Sequence, residues 1–278
     1  MENRPAICSP GRAFVARTGH KVQRGLPQAL ARLWTPTYNG VRSTSSLPGA
    51  LDSMTSRPTT DRVGVLASGG LDSSILVGHL LGQGRPVQPF YIRSGLVWQA
   101  GELPALRRYL RAIATENLAG LVVLDLPLAD LYAGHWSLTG DNTPGAESPD
   151  ESVFLPGRNA LLIVKAAVWC QLHGIGQLAL APLGTSPFED AGDAFFGDFQ
   201  AAMNRGGQRP LALLRPFGEM TKGQVMQLGR DLPLALTFSC IAPAAELHCG
   251  RCNKCAERRA AFREAGLEDR TVYANSMR

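Results

Sequence analysis

Two short stretches carry side chains whose types and spacing point to chemistry. The first is Ser68-Gly69-Gly70-Leu71-Asp72-Ser73-Ser74. Adjacent glycines let the backbone turn tightly and bring N–H groups close to an anion. A helix opening at Asp72 adds free N–H donors and the positive end of its dipole. The three serines add hydroxyl donors. Asp72 either caps the helix or helps to hold Mg²⁺ beside the phosphates. The expected nucleotide-binding residues are therefore Ala67, Ser68, Gly69, Gly70, Leu71, Asp72, Ser73 and Ser74. The stretch lacks the Gly-Lys-Ser/Thr ending of a Walker A loop and does not match G-x-G-x-x-G. An ordinary strand–turn–helix with a good cap is the plain alternative.

The second stretch is Cys249-Gly-Arg-Cys252-Asn-Lys-Cys255, with Cys240 nine residues earlier. Four thiolates suit one tetrahedral zinc ion with bonds near 2.3 Å. Gly250 relieves crowding between the first two ligands, and Arg251 and Lys254 offset the negative charge. His248 is a substitute ligand, an iron–sulfur cluster is the rival metal group, and a redox-active dithiol is the third reading. The expected role is structural, holding the carboxyl-terminal segment beside the active site. Cys8 and Cys170 lie apart from this group. Clustered rather than dispersed cysteines fit a metal site in a reducing, cytoplasmic compartment better than a disulfide framework.

Three further polar residues stand in unusual places. Arg158 follows Pro156-Gly157 and opens an apolar run, where a helix dipole disfavours a cation. That mismatch reads as a clamp on a phosphate or carboxylate. Lys222 lies in a first helical turn, with the same implication for phosphate. Asp190 divides between substrate contact and helix cap. Asp72, Arg158 and Lys222 form the expected catalytic set, and Asp190 the expected substrate contact. Trp98, Trp136 and Trp169 read as packing residues. Glu257, Arg258 and Arg259 read as a solvated helix face.

These residues need elements to position them. Residues 62–67 form a short apolar run ending in the glycine turn and read as a buried strand. Helical spacing follows over 72–81. Further strands are expected at 87–92, 121–126, 177–181 and 211–215. Helices are expected at 102–116, 159–173 and 195–204, and at 222–230 with Thr221 as the N-cap. Strands alternating with helices predict an α/β fold with an open, mostly parallel five-stranded sheet covered on both faces.

The bulk properties exclude several classes. The chain has 278 residues, 45% of them hydrophobic and 18% charged, which is too apolar for a wholly disordered chain. No apolar run reaches the roughly 18 residues that a membrane span requires. The net charge is +5, but residues 1–60 hold eight basic and two acidic residues, leaving 20 basic and 21 acidic residues in the remainder. The remainder lacks the basic face of a nucleic-acid binder. Residues 1–60 show no sustained period and no secretory apolar core. They read as a disordered extension, a transit segment, or an over-long start with Met54 as the true one. The expected organisation is this extension, an ATP-binding α/β domain over 61–236, and a zinc segment over 237–278.

The loop Ser68–Ser74 resembles the PP-loop of the N-type ATP pyrophosphatases. With Leu155-Pro156-Gly157-Arg158-Asn159, Leu213–Phe217, Thr221-Lys222, Phe238-Ser239-Cys240 and the run from His248 to Phe262, the chain resembles the 7-cyano-7-deazaguanine synthase (QueC/ExsB) family over about 62–265. The resemblance implies ATP with Mg²⁺ as cosubstrate and structural zinc. It also implies conversion of 7-carboxy-7-deazaguanine and ammonia to the nitrile through adenylated intermediates, in queuosine biosynthesis. No direct nucleic-acid or membrane partner is expected, and a homodimer is open to it. The stretches 181–192 and 91–95 depart from the family pattern, although Asp190 matches. This leaves a related ligase with another carboxylate substrate, or a PP-loop tRNA-modifying enzyme, as alternatives.

Overall fold

The computed structural model describes residues 60–207 and 209–275. The expected amino-terminal extension, Met54 and Cys8 lie outside the described residues. Five strands build one sheet: β1 (Thr60–Leu66), β2 (Val87–Arg93), β3 (Val122–Asp125), β4 (Ile175–Ala179) and β5 (Ala212–Leu214). Their order is β3-β2-β1-β4-β5, and every neighbouring pair is parallel. The helices are α1 (Leu71–Gly82), α2 (Gln99–Ala112), α3 (Trp136–Thr139), α4 (Arg158–Leu172), α5 (Asp193–Gly206), α6 (Lys222–Leu228) and α7 (Asn253–Glu264).

The apolar runs explain the layers. Val63 and Val65 of β1 pack under Ile75, Leu76 and Leu80 of α1, Leu106 and Tyr109 of α2, and Val225 and Met226 of α6. The opposite face packs Phe90, Leu178 and Leu180 against Ile163, Ala166 and Cys170 of α4 and Phe196 of α5. Each such large side chain contributes roughly 1.5–3 kcal/mol by leaving water. Cys170 is fully buried, and burial pushes its thiol up to about 12. It packs as an apolar atom and has no part in the metal cluster.

The chain leaves β1 for β2 and β3 on one side and later adds β4 and β5 on the other. β1 and β4 therefore flank the point where strand order reverses. Open parallel sheets bind ligands there, outside the carboxyl ends of the strands. A third apolar cluster covers this edge, with Leu96, Trp98, Leu155, Phe238 and the cysteines Cys240, Cys249, Cys252 and Cys255.

Candidate functional site

The loop between β1 and α1 is held open by its own side chains. Ser68 N–H donates to Ser73 Oγ at 3.2 Å, the two hydroxyls lie 3.1 Å apart, and Gly70 N–H donates to Ser68 Oγ at 3.4 Å. Gly69 has φ +87°, and a Cβ there would stand 3.2 Å from Leu106 Cβ and 3.3 Å from Glu102 O. Only glycine fits that turn. Its carbonyl accepts the Phe238 N–H at 2.7 Å, which ties the carboxyl-terminal segment to the loop. The first N–H groups of α1 have no helical acceptor. Ser74 Oγ is buried without a hydrogen bond.

Asp72 does not cap α1, whose N-cap is Gly70 with no side-chain bond. Its carboxylate instead accepts from Lys222 Nζ at 2.9 and 2.7 Å. Thr221 starts α6 with a full capping box with Gln224, so Lys222 leaves the first turn in a fixed direction. The same ammonium lies 3.3 Å from Glu257 Oε1, and Glu257 also binds Lys254 at 2.5 Å. These two cations hold the Glu257 carboxyl below its ordinary range although burial alone would raise it. Asp72, Lys222, Glu257 and Lys254 thus form one chain of alternating charge along the rim of a cavity of about 410 Å³. That volume suits a small-molecule site.

The solvated face expected for Glu257, Arg258 and Arg259 is overturned by this arrangement. Arg258 is 1% exposed and donates to Thr237 Oγ1, Ser239 Oγ, the Leu234 carbonyl and Thr271 Oγ1. Arg259 donates to the Gly250 carbonyl and lies 4.1 Å over the Tyr273 ring. Buried guanidinium is tolerated because nearly every N–H finds an acceptor.

Arg158 begins α4 behind the left-handed Gly157 and lines the same cavity as the loop. Its guanidinium makes no hydrogen bond or ion pair among the described residues, and Nε is buried without a partner. Asp190 sits in a short turn, Glu189–Ala191. Its backbone carbonyl accepts from Asn159 Nδ2 at 3.2 Å, while Oδ1 is buried and unpaired. Burial pushes the Asp190 carboxyl up against the opposing pull of Asn159 and Arg158. Asp190 caps no helix, since α5 begins on Gly192 without a side-chain bond. Trp98 and Trp136 stack with centroids 5.7 Å apart in the cavity wall, so two of the three expected packing tryptophans also shape the site.

Glu102 and Tyr91 were not expected here. Tyr91 Oη donates to Glu102 Oε2 at 2.7 Å inside the cavity wall. The readable signal was spacing: Glu102 shares a helical stripe with Leu106 and Tyr109, which puts an acid on the apolar face of α2.

The four cysteine sulfurs lie within 4.8 Å of one another. Cys240–Cys252 and Cys249–Cys255 are 3.8 and 3.9 Å apart. A tetrahedron with bonds of about 2.3 Å has edges near ~3.8 Å, so the set fits one metal ion. A multi-metal cluster would hold the sulfurs further apart. Backbone N–H groups of Arg251 and Cys252 donate to Cys249 Sγ. Gly250 has φ +78°, with the Asn275 carbonyl 2.5 Å from where a Cβ would stand. His248 is no ligand: its Nε2 accepts the Ser239 N–H at 3.1 Å, and burial pushes its pKa down to about 3. No described helix is long and apolar enough to cross a membrane.

The family model described as queuosine biosynthesis protein QueC matches residues 62–266. The 7-cyano-7-deazaguanine synthase of Desulfotalea psychrophila is 29% identical over 217 residues, covering 75% of this chain and 97% of that protein. The 7-cyano-7-deazaguanine synthase 1 of Desulfitobacterium hafniense is 30% identical over 207 residues, covering 73% and 91%. A solved 4-thiouridine synthetase in complex with RNA and ATP is 14% identical, with a TM-score of 0.39 over 74% of this chain and 50% of that one.

Proposed function

The chain belongs to the QueC family, and from that premise we propose that it is an ATP-dependent carbon–nitrogen ligase making 7-cyano-7-deazaguanine from 7-carboxy-7-deazaguanine and ammonia. One observation carries the reading: a single cavity joins two separate anion receptors, the Ser68–Ser74 loop and the unpaired guanidinium of Arg158. Two anions must meet in this reaction, the nucleotide phosphates and the substrate carboxylate.

The loop N–H groups and hydroxyls hold the phosphates at the positive end of α1. Arg158 orients the carboxylate as a planar two-pronged donor. A carboxylate oxygen attacks the α-phosphate and pyrophosphate leaves. Ammonia then displaces AMP to give the amide, whose oxygen is activated the same way before the nitrile forms. Asp72 would hold Mg²⁺, which would supply positive charge beside the departing pyrophosphate. Lys222 shares that carboxylate and adds positive charge at the rim. Most of the rate enhancement comes from positioning and from fixed charge around the phosphorus. Asp190, with an unpaired buried oxygen, contacts the polar edge of the heterocycle.

The four cysteines would hold a zinc ion in a structural role, tying down the amino-terminal end of α7, whose Lys254, Glu257 and Arg258 line the cavity. Incubation with ATP, Mg²⁺, ammonium and 7-carboxy-7-deazaguanine, followed by mass spectrometry, tests the proposal. Amide and nitrile are expected. Unchanged acid with intact ATP overturns it.

A further inference from the structure

The cavity wall holds an acid that this reaction scheme leaves unused. Glu102 is 7% exposed and is the only acidic side chain among the described residues that is buried. It forms no ion pair. One carboxyl oxygen takes the Tyr91 hydroxyl at 2.7 Å, and the other has no donor among the described residues. Its Cγ lies 3.6 Å from where a Gly69 Cβ would stand, so the side chain runs beside the phosphate loop and lines the same cavity. A bare buried carboxyl is costly, and a glutamine or leucine would fill the same space without that cost. Burial pushes its pKa up to about 7, against the pull of the Tyr91 hydroxyl and the Arg158 charge. Of the other charged groups facing the cavity, Asp72, Lys222, Lys254 and Glu257 are paired with one another and Arg258 is held by Thr237, Ser239 and the Leu234 carbonyl, which leaves Arg158.

We propose that Glu102 is the proton-exchanging residue of this centre, taking the protons that nitrogen must lose on the way to the nitrile. The assignment rests on the ligase reading above. In the first transfer the ammonia lone pair forms the C–N bond and the C–O bond to AMP breaks, its electron pair leaving on the AMP oxygen. One N–H proton passes to the Glu102 carboxylate. In the second, adenylation of the amide oxygen gives a protonated imidate whose two N–H protons pass to Glu102 one after the other; loss of the second frees the electron pair that closes the third C–N bond, and AMP leaves again with the oxygen. Between steps Glu102 returns its proton to solvent. Tyr91 orients the carboxyl, and its own acidity is suppressed by burial and by Glu102, so it stays a donor. A general base works best with a pKa near the operating pH.

The geometry gives a test that does not depend on the substrate. Nucleotide phosphates beside Gly69 place negative charge against Glu102 and raise its proton affinity. Calorimetry of the full chain with Mg²⁺ and a non-hydrolysable ATP analogue, at pH 7 in buffers of different ionisation enthalpy, reads that proton directly. Net uptake is expected for the wild type and none for Glu102→Gln, with analogue affinity within about threefold. In turnover, with nucleotide bound, the wild-type rate rises with pH through a midpoint above the ligand-free value of about 7. Glu102→Gln loses that limb and falls by roughly 100-fold, while Glu102→Asp recovers part of both. Equal proton uptake in wild type and Glu102→Gln, or a rising limb that survives the substitution, overturns the proposal. A wild type that makes no nitrile contradicts the ligase reading alone, and the calorimetric comparison still decides the role of Glu102.

Discussion

Glu102→Gln raises the stability of the ligand-free protein at alkaline pH and changes it by only about 1 kcal/mol at pH 5. The carboxyl has an ordinary pKa of 4.5 and about 7 in the fold, where desolvation is the largest cause. A pKa raised by folding means that the folded state prefers the protonated acid. Below about 4.5 the group costs little. Between about 4.5 and 7 the wild type loses stability as pH rises, and above about 7 the loss is complete. At about 1.4 kcal/mol per pKa unit, the difference amounts to roughly 3 kcal/mol. Glutamine keeps the volume and can still accept the Tyr91 hydroxyl, so the variant avoids the loss without opening a cavity. For a chain of this size about 1 kcal/mol shifts Tm by roughly 2–4 °C, which predicts a Tm some ~6–12 °C above wild type at pH 8. Thermal unfolding followed by circular dichroism at pH 5 and pH 8 measures it. A variant melting below wild type at pH 8, or differing from it by the same margin at both pH values, refutes the assignment of a buried carboxyl without an ion pair.

Arg158→Met leaves the unfolding free energy within about 1 kcal/mol of wild type, because the guanidinium has no hydrogen bond or ion pair to lose, yet cuts substrate-dependent pyrophosphate release at least ~10-fold, equal to about 1.4 kcal/mol of transition-state stabilisation. Gly69→Ala forces a side chain into a left-handed turn against Leu106 and the Glu102 carbonyl. It costs about 1–3 kcal/mol in denaturant titration and weakens nucleotide binding in calorimetry. Cys252→Ser removes one of four sulfurs gathered within 4.8 Å. Elemental analysis gives about one zinc per wild-type chain and little in the variant, with a lowered Tm as α7 loosens.

The residues with local signatures were legible in the sequence. Gly69-Gly70 after a strand, the x₂ spacing of Cys249, Cys252 and Cys255, and a cation at Arg158 behind Pro-Gly each state their own geometry within a few residues. The alternation of short apolar runs with helical periods gave a parallel five-stranded sheet, and the sheet has that form. Ends moved by a few residues, as for β4 at Ile175–Ala179 against the expected 177–181, because strand limits are set by the neighbouring strand. Residues whose role depends on distant partners were missed. Glu257-Arg258-Arg259 looks like a solvated triplet, and only the fold brings Thr237, Ser239 and the Leu234 carbonyl, 19 to 24 residues away, to satisfy Arg258. Asp72 looks like a cap until Lys222, 150 residues later, takes its carboxylate. Glu102 had a weak signal in its apolar stripe, but its partner Tyr91 lies on the adjacent strand β2.

The claim that the carboxylate is activated through its own oxygen is tested most directly with 7-carboxy-7-deazaguanine labelled with ¹⁸O in both carboxyl oxygens. With ATP, Mg²⁺ and ammonium, each activation should transfer one labelled oxygen to AMP. Two labelled AMP molecules are expected for every nitrile and one for every amide. Nitrile formed with unlabelled AMP, or with label in pyrophosphate or inorganic phosphate instead, would contradict that claim.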